Sequence, residues 1–178
     1  MKLKLRHHIF ISFFLLVFVC FNTKIISAEK NIQGNLKIFT GEWKDKCFEK
    51  NENTQKYCII ERGMFLDEKL EKRVITVIIR TIENSSDSLL TIISPLGTLI
   101  PKGFNVSLDQ KKLGEMYGFS HCTKSGCFAT IKINKEKIDI FKKSNAINLE
   151  YTLQNQQPLN ISVSLKDFTK AYNKITKF

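Results

Sequence analysis

The stretch Ser94-Pro95-Leu96-Gly97-Thr98-Leu99-Ile100-Pro101-Lys102-Gly103 constrains the fold more than any other part of the chain. It holds two of the three prolines and two of the eight glycines, wrapped around an apolar run. Proline fixes φ and removes a backbone donor, whereas glycine admits φ > 0. Pro-x-Gly twice within ten residues therefore predicts two sharp turns between strands. Just upstream, Val74–Ile82 is almost wholly β-branched and predicts a strand. Asn84–Asp87 is a turn and Leu89–Ile93 the returning strand. That hairpin is apolar enough to be covered on both faces. It feeds directly into the Pro-Leu-Gly stretch, which is then the corner connecting two halves of a sandwich.

The remaining chain supplies the other strands. Leu36–Cys47 reads as a strand pair or a bent strand around Gly41, with Trp43 as its largest apolar anchor. Asn51–Lys56 is a polar loop, Tyr57–Arg62 a strand, and the region of Gly63 a loop. Asp67–Arg73, a mixture of acids and bases, is a solvated connection. Phe104–Leu108 is a strand followed by a turn at Asp109–Lys112, and Leu113–His121 and Phe128–Asn134 flank a cysteine hairpin. Asn134 caps a helix over Lys135–Lys143, in which Ile138 and Phe141 share a face and Glu136 lies near the positive N-terminus. Ile147–Leu153 and Leu159–Leu165 alternate as a hairpin with one wet face. Leu165, Phe168, Tyr172 and Ile175 keep helical spacing towards the end of the chain, with Asp167 in the first turn. Many short strands and two short helices predict a mainly β protein, an antiparallel, jelly-roll-like β-sandwich.

The N-terminus is read separately. Met1–His8 is basic, Ile9–Phe21 is an apolar run of 13 residues broken only by Ser12, and Ile26-Ser27-Ala28 ends in a small residue. This is the pattern of a secretory signal peptide over residues 1–28, cleaved after Ala28. The apolar run is short for a membrane span of about 20 residues. Bulky Phe18 and Val19 argue against a lipidated Cys20. Residues 29–178 then form one domain with a full core and no transmembrane segment, in the periplasm or secreted.

Export organises the rest of the composition. Four of the 28 basic residues and none of the 17 acids fall in residues 1–28, which leaves a net charge of +7 on the remainder. Such a charge favours anionic envelope components, and export keeps nucleic acid out of reach. Four cysteines follow the signal, an even set in an oxidising compartment, which predicts two disulfides. Spacing favours the local pairs, Cys47–Cys58 and Cys122–Cys127, loop-closure entropy setting an upper bound of roughly 2 to 3 kcal/mol on each. The absence of any C-x₂-C pair argues against a zinc site.

Catalytic options are few. His121 is the single histidine outside residues 1–28, so any Ser-His-Asp or Cys-His arrangement has to use it. Its place beside Cys122 reads as a rim histidine. The acids are scattered among bases, so a carboxylate-dependent hydrolase has no conspicuous pair to work with. No phosphate loop, dinucleotide fingerprint or G-x-S-x-G elbow is present, and no cofactor or metal is expected. The aromatics near turns, including Trp43, Phe119 and Phe128, are mostly core. Where exposed, they define a contact patch of Lys102, Phe104, Lys111, Lys112, Tyr117 and Lys124.

A set of ordered fragments carries a resemblance. It begins with Gly41-x-Trp43-x-x-x-Cys47 and Cys58, then Ser94-Pro95-Leu96-Gly97-x-x-Ile100-Pro101-x-Gly103. It continues with Gly118-Phe119-x-x-Cys122-x-x-x-Gly126-Cys127 and ends in Val163-Ser164-Leu165-Lys166-x-Phe168. In this order and spacing the chain resembles the invasion-associated locus B family of bacterial secreted proteins. The resemblance implies a periplasmic or secreted β-sandwich with disulfides, in a family associated with host-cell invasion in some pathogens. It brings no catalytic residues. The expected function is a non-enzymatic interaction module that contacts a protein, glycan or anionic envelope component through a loop-rich end. The alternative is a periplasmic small-ligand carrier or chaperone-like protein with a cavity between the sheets.

Overall fold

The β-branched run forms the longest strand, β4 (Arg73–Ile82), at the middle of a seven-stranded antiparallel sheet. The fold comes from a computed structural model that describes residues 38–49, 56–69, 71, 73–82 and 85–177. The expected signal peptide over residues 1–28, the residues from there to 37, most of the Asn51–Lys56 loop and the start of the Asn84–Asp87 turn lie outside the described residues.

In the larger sheet β4 pairs with β3 (Tyr57–Phe65) on one side and β5 (Ser88–Ser94) on the other. Beyond β5 come β9 (Gly126–Ile133) and β8 (His121–Thr123). Along the far edge of β3 lie two short strands in succession, β1 (Phe39–Thr40) and β2 (Lys44–Phe48). The smaller sheet has the order β11 (Pro158–Ser164), β10 (Ala146–Thr152), β6 (Phe104–Leu108), β7 (Lys111–Lys112).

The period-2 patterns decide what meets between the sheets. Ile60, Met64, Val77, Ile79, Leu90, Ile92, Ala129 and Ile131 from the larger sheet share one hydrophobic cluster with Val106, Leu149, Ile161 and Val163 from the smaller. Burial of each large aliphatic side chain contributes about 1.5 to 3 kcal/mol. The start of β4 is covered on both faces, Val74 to Val77 all being buried.

Gly63, expected in a loop, lies inside β3, which runs on to Phe65 with a register shift at Met64/Phe65. A Cβ at Gly63 would come within 2.8 Å of two atoms of the Phe65 ring. The glycine is therefore there to let the ring fold back over the strand, not to end it.

The helix α1 (Lys135–Lys143) matches its expected bounds, with the Asn134 side chain accepting from Lys137 N–H at 3.0 Å. Ile138 and Phe141 are its buried residues. The second helix, α2 (Phe168–Ile175), buries Phe168, Ala171, Tyr172 and Ile175. It docks on the larger sheet through the Ser88 Oγ–Tyr172 hydroxyl bond (3.0 Å) and Thr81 Oγ1 donating to Ile175 O (3.1 Å). Asp167 precedes the helix in the left-handed region (φ 64) and makes no side-chain cap, so it does not serve as a first-turn residue. The chain reverses there, Leu165 N–H bonding back to Asn145 O and Phe168 N–H to Leu165 O.

Of Leu113–His121, expected to flank the cysteine hairpin, only His121 belongs to a strand, β8, and the residues before it are irregular apart from a bridge between Tyr117 and Phe104. The reason is that this segment crosses from one sheet to the other. Leu113 N–H bonds Val106 O in the smaller sheet, whereas Ser120 N–H bonds Phe128 O in the larger. Among the described residues no helix is long and apolar enough to cross a membrane.

Candidate functional site

The Ser94–Gly103 segment leaves β5 in the larger sheet and delivers the chain to β6 in the smaller. Its first turn passes through Gly97 (φ 90), and Thr98 Oγ1 lies 2.9 Å from Ser94 Oγ and 2.8 Å from Pro95 O. The second is a short 3₁₀ turn, Ile100–Lys102, closed by Gly103 at φ 57. Any Cβ at Gly103 would overlap the Tyr117 carbonyl, so this position requires glycine for both its dihedral and its space.

Other loops gather at the same end. Thr98 bridges Leu153, Gln154 N–H donates to Gly97 O at 2.8 Å, and Lys102 Nζ donates to Gln156 Oε1 at 3.3 Å. The β8–β9 hairpin joins from the larger sheet, since Ser94 pairs with Cys127. Cys122 and Cys127 face each other across that hairpin and are bridged, as are Cys47 and Cys58 between β2 and β3. Each bridge thus closes a local two-strand unit.

The structure divides the six patch residues between two places. Lys102, Tyr117 and Lys124 belong to the loop end just described, the two lysines being exposed and Tyr117 half-buried. Phe104 does not contribute surface. It is 2% exposed and lies beneath Tyr117 and Phe119, with ring centroids 5.6 and 5.3 Å away. Burial holds the Tyr117 hydroxyl above its usual pKa. Lys111 and Lys112 stand at the opposite end of β6, paired with Leu108 and Ser107. Four residues of strand, about 13 Å, separate the two groups.

The loop end carries apolar residues that sequence reading did not single out. Leu96 is 61% exposed and Met116 60%, with Ile100 beside them at 36%. Met116 packs near Gly103, which places it against the 3₁₀ turn. Leu96 and Ile100 belonged to the Pro-Leu-Gly signature, so their type was visible while their exposure was not.

A second feature lies at the other end of β6. Leu108, Leu113 and Ile140 form the floor of a cleft of about 130 Å³ rimmed by Lys111, Lys112 and Lys137. Asp109 fixes its geometry. At φ 52 it turns β6 into β7, and its Oδ1 accepts the N–H groups of Asn145 (2.9 Å) and Ala146 (3.0 Å) just after α1.

A third, larger cleft of about 270 Å³ is lined by Glu42, Trp43, Arg62, Asp167, Lys170 and Lys174 among others. Arg62 is 8% exposed and is committed to backbone acceptors. Its Nε donates to Gly41 O at 2.7 Å, and one terminal nitrogen donates to Ser164 O (2.5 Å) and Lys166 O (3.2 Å). Burial lowers its pKa, opposed by the Asp167 and Glu42 carboxylates. Trp43 stands edge-on to Phe168 at 5.4 Å. This cleft is built to hold segments together.

His121 is exposed and stacks on Phe128, with centroids 4.9 Å apart. Its Nδ1 lies 2.9 Å from Ser120 Oγ, but that hydroxyl donates to Phe128 O at 3.0 Å. The Phe128 carbonyl therefore competes with the imidazole for the single hydroxyl proton of Ser120.

Two packed antiparallel sheets, two local disulfides and a loop-rich apolar end define a disulfide-bonded β-sandwich of the kind that fits an extracytoplasmic protein. The chain belongs to the invasion associated locus B (IalB) protein family, whose model matches residues 43–176. Among solved structures, it is similar to invasion associated protein B from Bartonella henselae, with a TM-score of 0.66 and 20% identity. That match covers 78% of this chain and 95% of the other, and shows a common fold. No curated protein sequence matches the chain.

Proposed function

We propose that the protein is an exported, non-enzymatic binding module. It contacts a protein, glycan or anionic component of an envelope or host-cell surface through the loop end. The observation that carries this reading is the exposure of Leu96 and Met116 on the loops of the same end as Lys102. Large apolar side chains held out by rigid turns lose little entropy on binding, and their burial drives association. Nearby lysines steer an anionic partner and contribute little to affinity themselves.

The test is saturable binding of the labelled, oxidised protein comprising residues 29–178 to isolated bacterial envelopes and to host-cell surfaces. The Leu96→Asp/Met116→Asp variant serves as control. Both positions are exposed, so the variant keeps its fold to within about 0.5 kcal/mol. Loss of affinity by tenfold or more in the variant is the expected result. Equal binding by the variant removes the loop end, and no saturable binding to either surface removes the binding-module reading.

A further inference from the structure

The cleft at the far end of β6 is independent of the loop end, and its chemistry is of two kinds. Its floor is apolar: Leu108 is 3% exposed, Leu113 half-buried, and Ile140 stands 37% exposed on the side of α1 away from Ile138 and Phe141. Its rim is cationic, with Lys111, Lys112 and Lys137 carrying no ion pair among the described residues. Nearby carboxylates do not neutralise it. Asp109 is occupied by two backbone N–H groups, and Asp139 lies 4.0 Å from Lys142. Glu136 and Glu115 are exposed and do not line the cleft. Three lysines line the same opening, none of them ion-paired among the described residues.

We infer that this cleft binds an anionic single-chain lipid, with the alkyl end on Leu108, Leu113 and Ile140 and the anionic headgroup between Lys111, Lys112 and Lys137. A free anion would leave the apolar floor wet, and a neutral alkyl chain would leave the lysines unanswered. A volume of about 130 Å³ compares with the ~150 Å³ apolar cavity that accepts a benzene-sized guest, so four or five carbons enter. The Asp109 turn holds β7 against the end of α1, so floor and rim exist before the ligand arrives.

The experiment titrates the oxidised protein comprising residues 29–178 with octyl phosphate below its micelle concentration. It is read by methyl NMR, with octyl glucoside and inorganic phosphate as separate arms. Octyl phosphate is expected to bind saturably, shifting the methyls of Ile140, Leu108 and Leu113. Inorganic phosphate should bind about a hundredfold more weakly, having no methylenes to bury. Octyl glucoside should bind about tenfold more weakly, as should octyl phosphate to the Lys111→Gln/Lys112→Gln/Lys137→Gln variant, each lysine being worth roughly a twofold change. Ile140→Gln, at an exposed helix position, lowers affinity about fivefold without unfolding the protein. Equal affinity for phosphate, or for octyl glucoside, overturns the proposal. So do shifts centred on Leu96 and Met116, variants that bind like the wild type, or an acidic peptide that binds the cleft more than tenfold tighter than octyl phosphate.

Discussion

Replacing Arg62 by methionine removes a guanidinium that holds three segments: the link before β2 at Gly41, β3 itself, and the β11–α2 reversal at Ser164 and Lys166. Two of its bonds are short, 2.7 and 2.5 Å, and the third, at 3.2 Å to an exposed residue, is weaker. Hydrogen bonds from a charged donor contribute about 1.5 to 3 kcal/mol each. Against the two short ones stands the cost of keeping a cation 8% exposed, the same burial that lowers its pKa. Methionine avoids that cost and fills part of the space, which leaves a net loss of about 2 to 4 kcal/mol. For a domain of this size that lowers Tm by roughly 5 to 12 °C. Arg62→Lys keeps the charge but not the fork that reaches both sides, so about 1 to 2 kcal/mol is lost. Urea unfolding of the oxidised protein can be followed by the fluorescence of Trp43, the chain's single tryptophan, whose ring lies 5.4 Å from the guanidinium. An Arg62→Met protein within about 0.5 kcal/mol of wild type, at unchanged m-value, would refute the reasoning.

Two further perturbations test the packing. Asp109→Ala removes the acceptor of two backbone N–H groups and places a Cβ-only residue at φ 52, which should cost about 2 to 4 kcal/mol in urea unfolding. Asp109→Asn keeps one acceptor oxygen and tolerates the dihedral, so it should cost under about 1 kcal/mol. The Tyr151 hydroxyl is buried with no hydrogen-bond partner among the described residues, so Tyr151→Phe should be neutral or up to about 1 kcal/mol stabilising. Burial raises the Tyr151 and Tyr117 pKa values above that of an unfolded tyrosine, about 10. Their contribution is therefore complete below pH 10 and is lost as pH rises towards the folded-state values. Urea midpoints between pH 9 and 11 should fall more steeply for wild type than for Tyr151→Phe, and superimposable profiles would contradict this.

What the sequence determined by itself was local. A β-branched run, a four-residue turn between cysteines, and Asn134 ahead of a helix with Ile138 and Phe141 on one face each specify geometry over a few residues. The structure places β4, the Cys122–Cys127 bridge and α1 accordingly. The Pro-x-Gly turns were equally legible because φ is restricted or freed by the residue itself. Tertiary structure decided the rest. Gly63 sits within a strand because the Phe65 ring folds over it, a contact that no turn propensity encodes. Leu113–Ser120 is irregular because it must travel between sheets, which its own residues do not reveal. Phe104 is core and Ile140 is exposed, although either apolar side chain could have stood on either side. The basic aromatic patch read as one surface separates into a loop end and a lysine-rimmed cleft, because β6 sets its two ends about 13 Å apart. Neighbours in sequence fix turns, strands and caps, whereas exposure and charge grouping depend on which distant segments pack beside them.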